Sequence, residues 1–209
     1  MTCVVGVRTK KGVLLAGDQQ MSWENGNRMS RDAKTIQLSE ILAVAYCGSG
    51  RLGQVLQYHL DELDDPPVGR DEQRWAVKHF VPYLRGVLAE TGHLVVSLAD
   101  NIEGLGYSAF LFAVRGRLFM VEDDFSVIEH RFAFDALGSG METAIGAMHT
   151  AAAPASYEPY TEAKARKIAV AGIRAATEYT SFVGGDMTTV STALFTQEER
   201  DFARRMIRR

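Results

Sequence analysis

The hydropathy period of this chain changes in blocks, and the order of those blocks constrains its fold more than any single residue does. Two strand-like runs, CVVGVRT (3–9) and GVLLAGD (12–18), meet at the turn-prone Lys10-Lys11-Gly12 and predict a hairpin that begins almost at the first residue. A polar loop with Gly and Asn is expected from Gly17-Asp18 through Ser30. KTIQL (34–38) and ILAVAYCG (41–48) read as a second strand pair around Ser39-Glu40. SGRLGQVLQYHLDEL (49–63) then switches to helical spacing, and DDPPVG (64–69) breaks it. A second helix carries Trp75, Val77, Phe80, Val81, Leu84, Val87 and Leu88 on its apolar side and stops at Gly92, with Pro82 predicting a kink or a late start.

Strands resume in YSAFLFAV (107–114), RLFMVE (117–122) and SVIEHRFAFDALG (126–138). Helices are expected over 141–153 and 161–179, then a β run over 187–196 and a short basic tail helix over 197–209. Strands gathered in groups between helix pairs predict α+β layers, not an alternating βαβ winding. A single domain spanning 2–209 fits the length, and 46% hydrophobic residues supply its core.

A net charge of -3 gives no basic footprint, so no nucleic-acid partner is expected. No run approaches the ~18 apolar residues of a membrane span, and the start lacks the features of a signal peptide, so a cytoplasmic, non-membrane protein is expected. Cys3 and Cys47 are too few for a disulfide framework. Cys3 reads as a small hydrophobe in a buried strand. The five histidines show no metal spacing, and neither a GxxxxGK[ST] loop nor a GxSxG elbow is present.

Thr2, Asp18 and Lys34 recur at equal intervals of 16 residues, each at a strand end or just after a turn. By itself this admits a plain reading, because Asp is common in turns and most lysines are solvated. The stretch TCVVGVRTKKGVLLAGD, the lysine of DAKTIQL, the strand ILAVAYCGSG and the later LGSGMETA (137–144) together resemble the proteasome β-subunit and HslV peptidase family. LLAGDQQ and Tyr179-Thr180 are more similar to the HslV branch, for which no propeptide is expected.

The resemblance implies an N-terminal nucleophile hydrolase with a four-layer αββα sandwich. It implies Thr2 as nucleophile with its own amine as base, Lys34 near the Thr2 oxygen, and Asp18 holding Lys34. It further implies Ser139 bonded to the terminal amine and the Gly48 N–H facing an oxyanion. That scheme suits the chemistry, since a hydroxyl needs an adjacent base and a free α-amine has a pKa of roughly 7.7–8.0. Ser139 also has a plain alternative as a helix N-cap at a Gly-flanked turn. Under this scheme Lys34→Ala is expected to abolish turnover while costing a solvated lysine's usual ~0.5 kcal/mol or less of stability.

Positions matching the family's substrate pocket are Met21, Asp32, Ile36, Tyr46 and Gln54, a mixed set without a dominant charge. No cofactor is required. By resemblance, backbone carbonyls of Arg174, Thr177 and Thr180 would hold a structural Na+ or Mg2+. The family's Asp followed by Ser-Gly-Gly is replaced here by YTSFVGG (179–185), which puts Thr180 in place of the Asp and Val183 in place of the Ser. Expected partners are further copies in a double ring of six or seven subunits per ring, an ATP-dependent unfoldase, and unfolded polypeptide. A catalytically silent ring component and a hydrolase of small amides stand as the alternative readings.

Overall fold

The computed structural model describes residues 1–23, 26–30, 32–60, 62–96 and 103–207. The first hairpin forms as its sequence requires: β1 (Val4–Thr9) pairs antiparallel with β2 (Gly12–Gly17), in a register that sets Val4 opposite Gly17. The polar segment expected to be a plain loop contains a second hairpin, β3 (Gln20–Trp23) with β4 (Gly26–Met29). Its strands, QMSW and GNRM, are four residues each, too short for their pattern to stand out within a polar segment. Strands β5 (Thr35–Gln37) and β6 (Leu42–Cys47) form the next pair.

Helix α1 (Gly50–Tyr58) starts at Ser49, whose side-chain oxygen accepts the Arg51 N–H at 3.1 Å. It ends before the expected 63, and Asp61 of that stretch lies outside the described residues. The second helical run opens as α2 (Glu72–Trp75), capped by Asp71, so Pro82 does not mark a late start. It continues through one π-helical turn (Ala76–Phe80) into α3 (Val81–Glu90). The Val81 N–H reaches back five residues to the Ala76 carbonyl, and Pro82, which has no N–H to give, follows directly. The widened turn is how the helix accepts this proline in its middle.

Beyond a short pair, β7 (Val95–Val96) and β8 (Glu103–Gly104), come β9 (Ala109–Val114) and β10 (Arg117–Val121). The stretch 126–138, read as one strand, is two. β11 (Val127–Glu129) pairs with β10, whereas β12 (Phe134–Leu137) pairs with β1 in a different sheet. Both pieces are apolar enough to look continuous, and His130–Ala133 carry the chain across between sheets. Helices α4 (Met141–Ala152) and α5 (Glu162–Tyr179), strand β13 (Thr188–Ser191) and α6 (Gln197–Ile207) close the chain. β13 is shorter than the expected 187–196, and the tail helix's last two expected residues, 208–209, lie outside the described set.

The strands make a four-stranded sheet, β12-β1-β2-β13, and a five-stranded sheet, β11-β10-β9-β6-β5, stacked face to face. Strand alternation divides the core into three slabs. Val5, Val7, Phe134 and Ala136 face α4 and α5; Val44, Phe110 and Phe112 face α1, Trp75 and Phe80. Between the sheets lie smaller side chains, among them Val4, Ala43, Ala45 and Ala113. The architecture is the four-layer αββα sandwich. No described helix is long and apolar enough to cross a membrane.

Candidate active site

Register alone brings most of the site together. Val4 sits opposite Gly17 on one side and Leu137 on the other. The residues just before β1 therefore run between those just after β2 and just after β12, so Thr2-Cys3 lie flanked by Asp18 and by Gly138-Ser139. The second sheet supplies the lysine: Lys34 precedes β5, and its neighbour Thr35 is tied to Thr188 of β13 by a hydroxyl pair at 3.0 Å.

Asp18 is the fixed point. Its carboxylate is fully buried and accepts four hydrogen bonds. They come from Lys34 Nζ at 2.7 Å and the Cys3 N–H at 2.9 Å on one oxygen, and from the N–H groups of Gln20 and Gly184, both at 3.2 Å, on the other. The Asp18 N–H returns a bond to the Cys3 carbonyl at 3.1 Å. Lys34 is only 3% exposed and gives a second bond to the Gln20 carbonyl at 2.6 Å. Burial pulls its ammonium below the ordinary lysine value, and the charge and hydrogen bond of Asp18 oppose that pull. The expectation that Lys34 costs little to remove is therefore overturned: it is no solvated lysine but half of a buried ion pair.

Thr2 is 5% exposed, although the Met1 side of it is open to solvent. Its backbone nitrogen donates to Ser139 Oγ at 3.2 Å, and Ser139 Oγ lies 3.3 Å from the Thr2 carbonyl. That carbonyl also accepts the Gly140 N–H at 3.2 Å. Ser139 makes no capping bond to α4, whose N-cap is Gly140, so its hydroxyl serves Thr2 and not the helix. Gly138 is required by space, since a Cβ there would stand 2.3 Å from the Thr2 carbonyl oxygen at a φ of +93°.

Gly48 leaves β6 with φ +101°, and a Cβ there would meet Ser108 at 2.5–2.8 Å. The Ser108 hydroxyl instead accepts the Ser49 N–H at 3.0 Å, which fixes the turn. Gly48→Ala is expected to lower stability by about 1–3 kcal/mol through the positive φ alone, visible as a drop in thermal midpoint. An unchanged midpoint would show that the turn has room for a side chain.

The substrate-pocket positions are dispersed by depth. Tyr46 and Ile36 are buried in the slab beneath the helices, with Tyr46 lying against Gly53 so closely that a Cβ there would touch its ring at 2.1 Å. The Met21 side chain reaches Gly50 at the start of α1, Gln54 is exposed on α1, and Asp32 is exposed before β5. Arg174 and Thr177 are exposed on α5, and Thr180 is its C-cap, where helix carbonyls outnumber donors. The Thr180 hydroxyl bonds Thr143 at 3.3 Å. Among the described residues no cluster of His, Cys, Asp or Glu side chains is arranged to hold a metal.

Two contributors escaped the sequence reading. Gly184 gives its N–H to Asp18, and its carbonyl accepts the N–H groups of Gln19 and Gln20; the Gln20 carbonyl holds Lys34. Both act through the backbone, so side-chain chemistry could not reveal them; the Gly184-Gly185 pair was the available signal.

Cys3 shows what burial does beside this site. It is fully buried, and desolvation, with the Asp18 charge adding to it, pushes its thiol up to about 12. At pH 8 its thiolate fraction falls roughly a thousandfold below that of a free cysteine. Iodoacetamide is accordingly expected to leave Cys3 of the native protein unlabelled and to modify it on unfolding. Because the folded thiol holds its proton to higher pH than the unfolded one, stability from this group is lost between pH 9 and 12. Rapid native labelling at Cys3 would contradict its placement.

No family model matches the chain. It is 29% identical over 196 residues to proteasome subunit beta 1 of Thermococcus kodakarensis, a match spanning 91% of this chain and 87% of that protein. Its fold superposes on Thiobacillus denitrificans BPH with a TM-score of 0.70 and 25% identity, covering 93% of this chain and all of that one; that protein has also been solved in complex with epoxomicin. HslV from Trypanosoma brucei shares the fold, with a TM-score of 0.59 at 18% identity over 91% of this chain and 99% of its own. The four layers, the strand-end cluster around Thr2 and the archaeal relative make this chain similar to the proteasome β-subunit and HslV-like N-terminal nucleophile hydrolases.

Proposed function

We propose that the chain is a threonine endopeptidase subunit that works after Met1 is removed, with Thr2 as its N-terminal residue. The observation that carries this reading is the placement of the Thr2 nitrogen 3.2 Å from Ser139 Oγ, beside a buried Lys34–Asp18 pair that also holds the next residue's N–H. Removal of Met1 converts that nitrogen from an amide, which cannot take a proton at neutral pH, into an amine that can.

The amine then accepts the Thr2 hydroxyl proton as Oγ bonds to the peptide carbonyl carbon. The carbonyl π electrons move to oxygen, stabilised by the Gly48 N–H. Collapse breaks the C–N bond, and the departing amine takes the proton back from the Thr2 ammonium. Water, deprotonated by the same amine, cleaves the resulting ester and frees the hydroxyl. The Lys34 charge favours the nonprotonated amine and the oxyanion-like nucleophile, and Asp18 keeps Lys34 in place.

In this reading identical chains stack as two rings of six or seven, in the cytoplasm, around a chamber fed with unfolded polypeptide by an ATP-dependent unfoldase. No cofactor enters the scheme; a Na+ or Mg2+ at the Arg174, Thr177 and Thr180 carbonyls would be structural. One observation favours the silent-ring alternative: Val183, at the family's serine position, is buried among apolar side chains and offers the amine no hydroxyl.

Intact mass of the purified chain, with and without an electrophile that reacts only with an N-terminal Thr, tests the reading. Loss of Met1 and one label per chain are expected. A closed ring that takes no label would establish the silent alternative, and a labelled monomer would favour a small-amide hydrolase.

A further inference from the structure

Helix α6 is joined to the body by charge, and its apolar side faces outward. The buried Arg115 guanidinium bonds both carboxylate oxygens of Glu199 at 2.7 and 2.8 Å and also holds the Leu194 and Pro66 carbonyls. Thr196 and Glu199 form a reciprocal capping box, and Arg200 pairs with Glu40 at 3.0 Å. With Glu199 and Arg200 bonded to the body, the helix leaves Phe202 59% and Met206 57% exposed. Together with Val68 and Phe195 these make an open apolar face, part of which is a groove of about 740 Å³. Contiguous aromatic surface of this kind on a soluble domain marks a contact.

The stripe through that face fixes what kind of contact. Glu198, Phe202 and Arg205 follow at spacings of four and three, so they share one side of the helix, acid at its start, ring at its middle and base at its end. Such a stripe is complementary to itself when reversed. With a two-fold axis between Asp201 and Phe202, Glu198 faces Arg205 of the partner subunit twice over, and the two phenylalanine rings meet in the centre. Parallel pairing would set Glu198 against its own copy. We propose that α6 is the docking face for a second copy of this chain, paired antiparallel about a two-fold axis. A different protein as occupant would leave this mirror pattern of charge without a reason.

One pair of eleven-residue helices buries less than the ~1,600 Å² of a standard interface, so a single contact is weak and gains strength where several act together. The proposal does not depend on the peptidase reading, and its test has no activity readout. Full-length Phe202→Cys is oxidised and analysed on non-reducing gels, with the wild-type chain, which has a buried Cys3 and a partly buried Cys47, as control. A reducible dimer is expected from the variant alone. E198R or R205E in that background should each lower the dimer yield roughly tenfold, by opposing like charges. An equimolar mixture of the two should restore it as a heterodimer, since each then carries the other's complement. Absence of the Phe202→Cys dimer, indifference to the charge reversals, failure of the mixture to recover, or cross-linking of α6 to another protein would each overturn the proposal.

Discussion

Lys34→Ala is expected to destabilise the protein by about 3–5 kcal/mol, because it strands the fully buried Asp18 carboxylate without its cation. The loss should fall near the lower end of that range, since the N–H groups of Cys3, Gln20 and Gly184 still solvate the carboxylate. For a chain of this size the thermal midpoint would drop on the order of 10 °C. Adding Asp18→Asn to Lys34→Met removes both charges and should recover most of the stability but none of the activity. The pair of results separates the two duties of Lys34, holding the fold and setting the charge beside Thr2. A midpoint unchanged in Lys34→Ala would mean that the pair is wet and carries no structural weight. Wild-type hydrolysis of a fluorogenic peptide would mean that Lys34 has no part in activating Thr2.

Chain that retains Met1 is expected to turn over peptide at least ~10³-fold more slowly than processed chain, because the general base is then an amide. Its fold should be unchanged. The Thr2 nitrogen already donates to Ser139 with Met1 in place, and Met1 itself is exposed. Thr2→Ala should match that inactivity with an unaltered midpoint, since it removes a hydroxyl and a methyl group from a position held mainly by backbone bonds. The measurement is the rate of processed and unprocessed fractions, identified by intact mass. Equal rates in the two fractions would remove the amine from the mechanism.

What could be read from the sequence follows the physics of each signal. The β1–β2 hairpin is marked by apolar runs buried on both faces, and α4 and α5 by apolar residues at helical spacing; hydropathy measures both directly. The β3–β4 hairpin was invisible because its strands are only four residues each and lie in a polar segment with Gly and Asn. The division of 126–138 was hidden for the opposite reason: both halves are apolar, and nothing in hydropathy records that β11 and β12 belong to different sheets. At the candidate site, Thr2, Asp18, Lys34 and Ser139, which the structure brings together, were legible because each carries a distinctive side chain. Gly184 and the Gln20 carbonyl were not, because any residue supplies a carbonyl and an N–H. The stability role of Lys34 was misread because spacing gives neighbours along the chain and says nothing about depth.

The bonds that build the site differ greatly in how much chain they enclose. Asp18 reaches Lys34 across 16 residues and Cys3 across 15, but the Thr2 nitrogen finds Ser139 only across 137, and Asp18 finds Gly184 across 166. A nascent chain of forty residues already contains the threonine, the carboxylate and the lysine. It contains nothing that can hold the threonine's nitrogen. The constellation is therefore unfinished until β12 and the turn before β13 have been made and laid alongside β1 and β2. A chain assembled in this order cannot carry the complete cluster while half-made, and the restraint comes from strand order alone.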